Sequence, residues 1–174
     1  MGDDSAAREK LATCTRIFAM QGLLTLFGHI SMYLPASRRV LLSPGMGCNR
    51  AKTRAENIFV LDHSGKILEE GEGGIPVEWP IHTALHAARS DALAVVHLHS
   101  PFATLFAIAK REFRPVTLQG ALFARGVPLY EKAQLIKTPD QGRGLVDVIG
   151  DKRAALLRGH GVVVVGRDIE EALY

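Results

Sequence analysis

The sequence has only two cysteines, Cys14 and Cys48, among its 174 residues. Two cysteines do not make a disulfide framework, and Cys14 falls in a helical pattern in which a free thiol packs as a small apolar side chain. The chain starts with an acidic stretch at residues 1–4 and no apolar segment follows it, unlike a secretory signal peptide. These absences lead us to expect a cytoplasmic protein.

Long apolar runs and basic runs are also absent. No apolar stretch approaches the roughly 20 residues that a transmembrane helix requires, so we expect no membrane association. The net charge is +3, but the 21 lysines and arginines are scattered along the chain. A scattered basic excess argues against a nucleic-acid interface and is compatible with a small anionic substrate.

Helical and strand patterns alternate along the chain. Apolar periodicity and capping residues predict helices at residues 5–21, 76–90, 101–110, 140–149 and after 168. Apolar runs bounded by turn residues predict strands within 25–34 and at 39–43, 57–61, 66–68, 93–99, 154–157 and 162–165, while 116–130 fits short strands and loops. This order predicts a single α/β domain over residues 1–174, with a mixed sheet in three layers. The last helix runs to Tyr174 without a stop signal, so we expect the domain to be truncated at its C-terminus.

The most informative stretch is residues 94–100, in which an apolar run leads into His97 and His99. Alternate residues of a strand point to the same face, so the two imidazoles share one face of a rigid support. His160 is the natural third partner, because the glycines on both sides of it allow the backbone to bend sharply. Three neutral imidazoles with an open coordination position are typical of a catalytic divalent metal site, with Zn²⁺ as the first expectation and Mn²⁺, Co²⁺ or Fe²⁺ as alternatives. The spacing alone also allows a polar strand edge and a histidine that only turns a loop.

Two other features have both a functional and a structural interpretation. His82 and His86 are spaced i, i+4 along a helix, as in helical zinc sites, but no glutamate follows His82. We favour the interpretation that they lie along one half-buried helix face. Glu78 near the start of that helix is favoured by the helix dipole, and it also suits a general acid/base facing the metal. Composition does not choose between these two roles of Glu78.

Several short motifs occur in order along nearly the whole chain. They are Gly28-His29-Ile30-Ser31, Leu42-Ser43-Pro44-Gly45, Glu78-Trp79 followed by His82, Val96-His97-Leu98-His99, and Leu156-Leu157-Arg158-Gly159-His160-Gly161. In this order they resemble the class II aldolase/adducin family. The resemblance implies a three-layer α/β/α domain with a largely antiparallel central sheet.

The resemblance also implies a site and an assembly. Residues matching His97, His99 and His160 hold the metal in the family, and the glutamate matching Glu78 transfers protons. Members are typically homotetramers with active sites between subunits. They include sugar-phosphate aldolases, an epimerase, a dehydratase and decarboxylases of hydroxylated aromatic acids, whereas adducin-type relatives use the fold for binding and lack the metal histidines. Because all three histidines are present here, the resemblance disfavours an adducin-like scaffold.

The chain departs from the sugar-phosphate aldolases at positions that contact substrate. Two serines that precede the glutamate and help to hold the phosphate in those aldolases are Pro76 and Val77 here. The asparagine that follows the turn glycine, matched by Gly28, is His29. A tyrosine that reaches a neighbouring subunit's site aligns with Gln119. The motifs Gly28-His29-Ile30-Ser31 and Leu157-Arg158-Gly159-His160-Gly161 are more similar to those of the branch of aromatic hydroxy-acid decarboxylases.

From the residues and the resemblance together, we expect a divalent-metal-dependent carbon–carbon lyase. It would decarboxylate a hydroxylated aromatic or heteroaromatic acid that carries no phosphate, with Glu78 moving the proton. Gly28, His29, Ser43 and Gln119 are the expected substrate contacts. The alternatives are an aldolase or epimerase acting on a small sugar or sugar phosphate, and a non-catalytic adducin-like binding protein.

Overall fold

One eight-stranded sheet forms the centre of the computed structural model, which describes residues 4–174. The strands are His29–Leu34 (β1), Arg39–Leu42 (β2), Phe59–Leu61 (β3), Ile67–Glu69 (β4), Ala94–Leu98 (β5), Leu129–Tyr130 (β6), Ala154–Leu157 (β7) and Gly161–Gly166 (β8). They are ordered β4-β3-β2-β1-β5-β8-β7-β6, and every neighbouring pair is antiparallel except β6 and β7. The expected mixed, largely antiparallel sheet is confirmed. Of the acidic start, residues 1–3 lie outside the described residues.

Helices flank this sheet on both faces. Their bounds are Ser5–Met20 (α1), Trp79–Ala88 (α2), Pro101–Ala109 (α3), Pro139–Ile149 (α4) and Ile169–Leu173 (α5). One apolar core lies between the sheet and the helices α1 and α5, and a second lies between the sheet and the helices α2 and α4. The three-layer α/β/α arrangement is therefore confirmed.

The central strand β5 shows how the sequence divides the two cores. Val96 and its alternate neighbours belong to the core under α1, whereas Val95 belongs to the core under α2. Since side chains alternate along a strand, His97 follows Val95 onto the α2 side. The same alternation puts His29 and Ser31 of β1 on that side, because His29 pairs with His97 and Ser31 with Val95.

The start of α2 differs from the sequence-based expectation. The helix begins at Trp79, and Glu78 occupies the position just before it without capping it through its side chain. Pro80 at the second helical position has the fixed backbone angle that suits a first helical turn. The Glu78 carboxylate is turned away from the helix end and accepts a hydrogen bond from the Ile136 N–H at 2.9 Å.

The ambiguous stretch before β7 contains little regular structure. It holds a 3₁₀ turn at Gln119–Phe123 and the two-residue strand β6. Elsewhere, no helix in residues 4–174 combines the length and apolar character needed to cross a bilayer. Cys14 is buried, Cys48 is partly exposed, and both are free thiols.

The packing of α2 against α4 depends on a glycine. A Cβ built on Gly142 would lie 2.6 Å from the Pro80 carbonyl oxygen and 2.9 Å from the Ala84 Cβ. At Gly144 in the same helix, the closest atoms belong to Tyr130 and are 3.8 Å away. The two helices therefore approach each other too closely at Gly142 to admit one methyl group.

We expect Gly142→Ala to lower the free energy of unfolding by roughly 1–3 kcal/mol, because the added methyl group overpacks this contact. Gly144→Ala is the matched control and should leave the stability unchanged or raise it by about 0.5–1 kcal/mol, since alanine is the better helix former. Urea denaturation at one fixed protein concentration measures both. Equal stabilities of the two variants would contradict the tight α2–α4 contact.

Candidate metal centre

His97 and His99 lie at the end of the central strand. His97 is fully buried, and its Nδ1–H donates to the Val162 carbonyl at 3.1 Å. This bond leaves the lone pair on Nε2, and that nitrogen lies 2.9 Å from Nε2 of His99. His99 follows the strand and stacks on Phe27 with 5.5 Å between ring centroids. The predicted pair of adjacent imidazoles is thus present, with ring nitrogens directed at one point.

His160 reaches this pair from the turn between β7 and β8. Gly159 has a backbone φ of 59°, a left-handed conformation that glycine adopts without strain. At Gly161 a Cβ would collide with the Leu98 carbonyl oxygen, so the turn can approach β5 only with glycine there. The His160 ring centroid lies 4.8 Å from that of His97 and 4.7 Å from that of His99.

Glu78 completes the cluster from the start of α2. Its Oε2 lies 3.3 Å from His160 Nε2 and 3.5 Å from His97 Nε2, while Oε1 is held by the Ile136 N–H. Burial raises the pKa of the Glu78 carboxyl, but the contacts with His160 and His97 together outweigh burial, and the net pKa is below its ordinary value. Glu78 is therefore a carboxylate at neutral pH.

The four side chains fit a divalent metal ion. One ligand atom from each of Glu78, His97, His99 and His160 lies within 4.8 Å of all the others. His160 Nε2 is buried 3.3 Å from Glu78 Oε2 and makes no hydrogen bond within residues 4–174, so its lone pair is available to a cation at the centre. Burial and the neighbouring His97 and His160 lower the pKa of His99 to about 4, so its imidazole is neutral as a ligand must be. Three imidazoles and a carboxylate suit Zn²⁺, Mn²⁺, Co²⁺ or Fe²⁺.

A cavity of about 580 Å³ opens beside the cluster. Gly28, His29, Glu78 and His99 line it, so the structure brings two of the expected substrate contacts next to the expected proton carrier and one metal ligand. The remaining wall is largely apolar and includes Leu26, Phe27, Pro76 and Val77. This wall offers no side-chain hydroxyl at the two positions that precede Glu78.

Two expected substrate contacts lie elsewhere. Ser43 is fully buried and its Oγ accepts the Ile30 N–H at 3.0 Å, so it supports the backbone beside His29. Gln119 is exposed on the 3₁₀ turn and is not part of the cavity wall. A contact of Gln119 with a neighbouring subunit's site stays a prediction.

Sequence reasoning missed Arg50, which is only 4% exposed and lines the cavity. Its guanidinium donates to the carbonyl oxygens of Gly45, Leu26 and Gly28, and its buried Nε has no hydrogen-bond partner in the described chain. No carboxylate of residues 4–174 forms an ion pair with it. The surrounding run, Asn49 to Arg54, resembles an exposed basic loop, so no local signal pointed to burial.

Sequence reasoning also undervalued His82 and His86. Neither belongs to the metal cluster, in agreement with the favoured interpretation of this pair. Both are buried, however, and His82 Nε2 lies 2.6 Å from Nδ1 of His29. The two histidines therefore support a residue of the cavity wall.

The sequence of the chain matches a known family and several known proteins. The sequence model of the class II aldolase and adducin N-terminal domain matches residues 9–174. A 3,4-dihydroxyphthalate decarboxylase of Arthrobacter keyseri is 33% identical over 180 residues, which cover 97% of this chain and 73% of that protein. Alpha-adducin of Rattus norvegicus is 28% identical over 99% of this chain but only 25% of its own length.

Solved structures agree on the fold. An aldolase II superfamily protein from Pseudomonas syringae superposes with a TM-score of 0.88 at 26% identity, covering 99% of this chain and 71% of that one. An L-fuculose 1-phosphate aldolase superposes with a TM-score of 0.86 at 21% identity, covering 99% of this chain and 79% of that one, and this likeness concerns the fold alone. With its site built on this fold and its sequence matched from residue 9 to the end, the chain belongs to the class II aldolase and adducin family.

Proposed function

We propose that the protein is a divalent-metal-dependent carbon–carbon lyase that decarboxylates a hydroxylated aromatic or heteroaromatic acid carrying no phosphate. The observation that carries this proposal is the cluster of three histidines and Glu78 at the mouth of a largely apolar cavity. The 33% identity to a 3,4-dihydroxyphthalate decarboxylase supports the choice of reaction. The apolar Pro76 and Val77 suit an aromatic ring better than a phosphate.

A divalent cation held by His97, His99 and His160 would supply a Lewis acid for the negative charge that develops on a substrate oxygen. Glu78 starts as a carboxylate and takes the proton of a substrate hydroxyl. It returns this proton to the ring carbon as the carbon–carbon bond breaks and CO₂ leaves. The product remains as a phenolate, which regains a proton from water, so protons and charge balance.

Arg50 supplies the positive charge for an anionic substrate. A buried guanidinium bonded only to carbonyl oxygens has unused donor capacity and no neutralising carboxylate. The substrate ring would carry a second carboxylate, which the reaction leaves in place. This carboxylate would neutralise the guanidinium and accept charge-assisted hydrogen bonds from its unused donors.

We expect Glu78→Gln to keep its fold and its metal but to lose about 10²–10⁴-fold in CO₂ release, because the amide cannot carry the proton. The glutamine Oε1 can still accept the Ile136 N–H. CO₂ release from ortho-hydroxy aromatic acids, measured beside aldehyde release from sugar phosphates, is the assay. Glu56→Gln, at an exposed glutamate, is the control and should match the wild type. Aldehyde release without CO₂ release would replace the decarboxylase by an aldolase, and a fully active Glu78→Gln variant would remove Glu78 from the reaction.

We expect the purified protein to hold about one divalent metal ion per chain, since the donor set forms a single site. His160→Asn should reduce this occupancy strongly, while His63→Asn, at a histidine packed on Tyr33, should leave it unchanged. Elemental analysis by mass spectrometry after chelator-free preparation measures the occupancy. Equal metal contents of the two variants would argue against His160 as a ligand.

The exposed face of α3 supports the expected homotetramer. Only Ala107 of this helix is buried, whereas Phe102, Leu105 and Ile108 are 78%, 60% and 61% exposed. A contiguous apolar helix face of this kind marks an interface. We propose that a second copy of the chain covers it, because family members commonly form oligomers.

We expect the wild type to elute as a tetramer in size-exclusion chromatography with light scattering, and the double variant Phe102→Glu, Leu105→Glu to form smaller species. Two added carboxylates would lose their hydration in a buried apolar interface, which destabilises the assembly. Arg143→Glu on α4 is the control and should stay tetrameric. A monomeric wild type, or a double variant that remains a tetramer, would contradict the assignment of α3 to the interface.

A further inference from the structure

Four buried side chains form a continuous hydrogen-bonded chain that leads away from the cavity. His29 Nδ1 lies 2.6 Å from His82 Nε2, and His82 Nδ1 lies 2.6 Å from Ser31 Oγ. Ser31 Oγ lies 2.7 Å from His86 Nε2, and His86 Nδ1 lies 2.6 Å from the carbonyl oxygen of Ala92. We call His29, His82, Ser31 and His86 the histidine chain.

The carbonyl at the far end fixes the direction of every bond. A carbonyl oxygen only accepts, so His86 Nδ1 carries a hydrogen and its Nε2 is left as an acceptor in the neutral ring. Ser31 must then donate to His86 Nε2 and accept from His82 Nδ1–H. His82 Nε2 is in turn an acceptor, and it receives the hydrogen of His29 Nδ1. The nitrogen of His29 left for a ligand is Nε2, and it carries a lone pair.

The rings of the histidine chain are neutral, as this assignment requires. His29, His82 and His86 are 6%, 0% and 3% exposed, and a protonated imidazole is costly in such surroundings. Burial lowers the pKa of His86 to about 4. Burial, with the neighbouring His86 and His97, holds the pKa of His82 well below its ordinary value.

We propose that the histidine chain locks His29 in the Nδ1–H form, so that its Nε2 is a fixed acceptor that selects a hydroxyl group of the substrate. A carboxylate has no hydrogen to donate, and its lone pairs would be repelled by the lone pair of Nε2. His29 therefore disfavours the binding of a carboxylate at this position. The two residues of the cavity wall therefore have different roles. His29 recognises a hydroxyl donor, and Arg50 recognises an anion. The recognition role rests on the proposed function, whereas the tautomer assignment does not.

Nuclear magnetic resonance of ¹⁵N-histidine-labelled, Zn²⁺-loaded protein tests the tautomers directly. Long-range ¹H–¹⁵N correlations distinguish Nδ1–H from Nε2–H rings, and the signals are assigned with His29→Asn and His82→Asn. We expect His29, His82 and His86 all to be Nδ1–H. An Nε2–H form of His29 in the wild type would overturn the proposal whatever the activity of the protein.

Ser31→Ala cuts the histidine chain in the middle. His86 should remain Nδ1–H because it still faces the Ala92 carbonyl, while His82 and His29 should populate both tautomers. Ser31→Thr keeps the hydroxyl and should restore the single form. Thr15→Val removes a buried hydroxyl from α1 and should change no histidine signal. An unchanged His29 tautomer in Ser31→Ala would also overturn the proposal.

The binding of catechol and of benzoate to the Zn²⁺-loaded protein, measured by calorimetric titration, tests whether His29 recognises a hydroxyl group. We expect Ser31→Ala to weaken catechol binding by about tenfold, the size of one lost hydrogen bond, and not to weaken benzoate binding. Equal effects on both ligands would overturn the selective role of His29. If the tautomers and the catechol effect are as expected but no acid releases CO₂, the decarboxylase proposal fails and the histidine chain stands.

Discussion

The site depends on the burial of polar side chains between the sheet and α2. His29, Ser31, His82, His86 and His97 are each at most 6% exposed. A buried donor or acceptor without a partner costs about 1–3 kcal/mol, so these groups are stable only when each one finds another. Their hydrogen bonds to one another and to the Ala92 and Val162 carbonyls therefore determine the ring orientations, and the directed lone pairs of His29 and His97 follow from that requirement.

The clustering of His97, His99 and His160 could be predicted from sequence, because the placement of these residues follows local backbone rules. Strand alternation places His97 and His99 on the same face. The glycines around His160 indicate a sharp turn whose backbone can approach a neighbouring strand closely. The sheet and its layers were predictable for the same reason, since apolar periodicity and turn residues act over short stretches. The boundary of α2 was less accurate, because the Ile136 N–H that holds the Glu78 carboxylate comes from 58 residues further along the chain.

The remaining parts of the site depend on which elements face each other. His29 and Ser31 alternate on β1, and His82 and His86 are spaced i, i+4 on α2, so each half of the histidine chain was visible in the sequence. The pairing of the halves spans 51 to 55 residues, and no local pattern encodes it. The position of Arg50 was even less predictable, because its buried guanidinium is held by backbone carbonyls, which every residue type has. Motif matching alone placed Ser43 in contact with substrate, whereas its hydroxyl oxygen is engaged with the backbone of β1.

Because residue 142 is a glycine, α4 packs closely against α2. Helix α4 therefore affects the site, although it contributes no residue to it. Helix α2 is pressed between α4 and the sheet, and its bonds to Ser31 are only 2.6 and 2.7 Å long, so it has little freedom to slide. The contact with α4 therefore limits how far α2 can move, and it thereby fixes the positions of Glu78 and the α2 histidines in the site. A substitution in α4 that changes its distance from α2 would therefore shift Glu78 and the α2 histidines, while His97, His99 and His160 stay on their own elements.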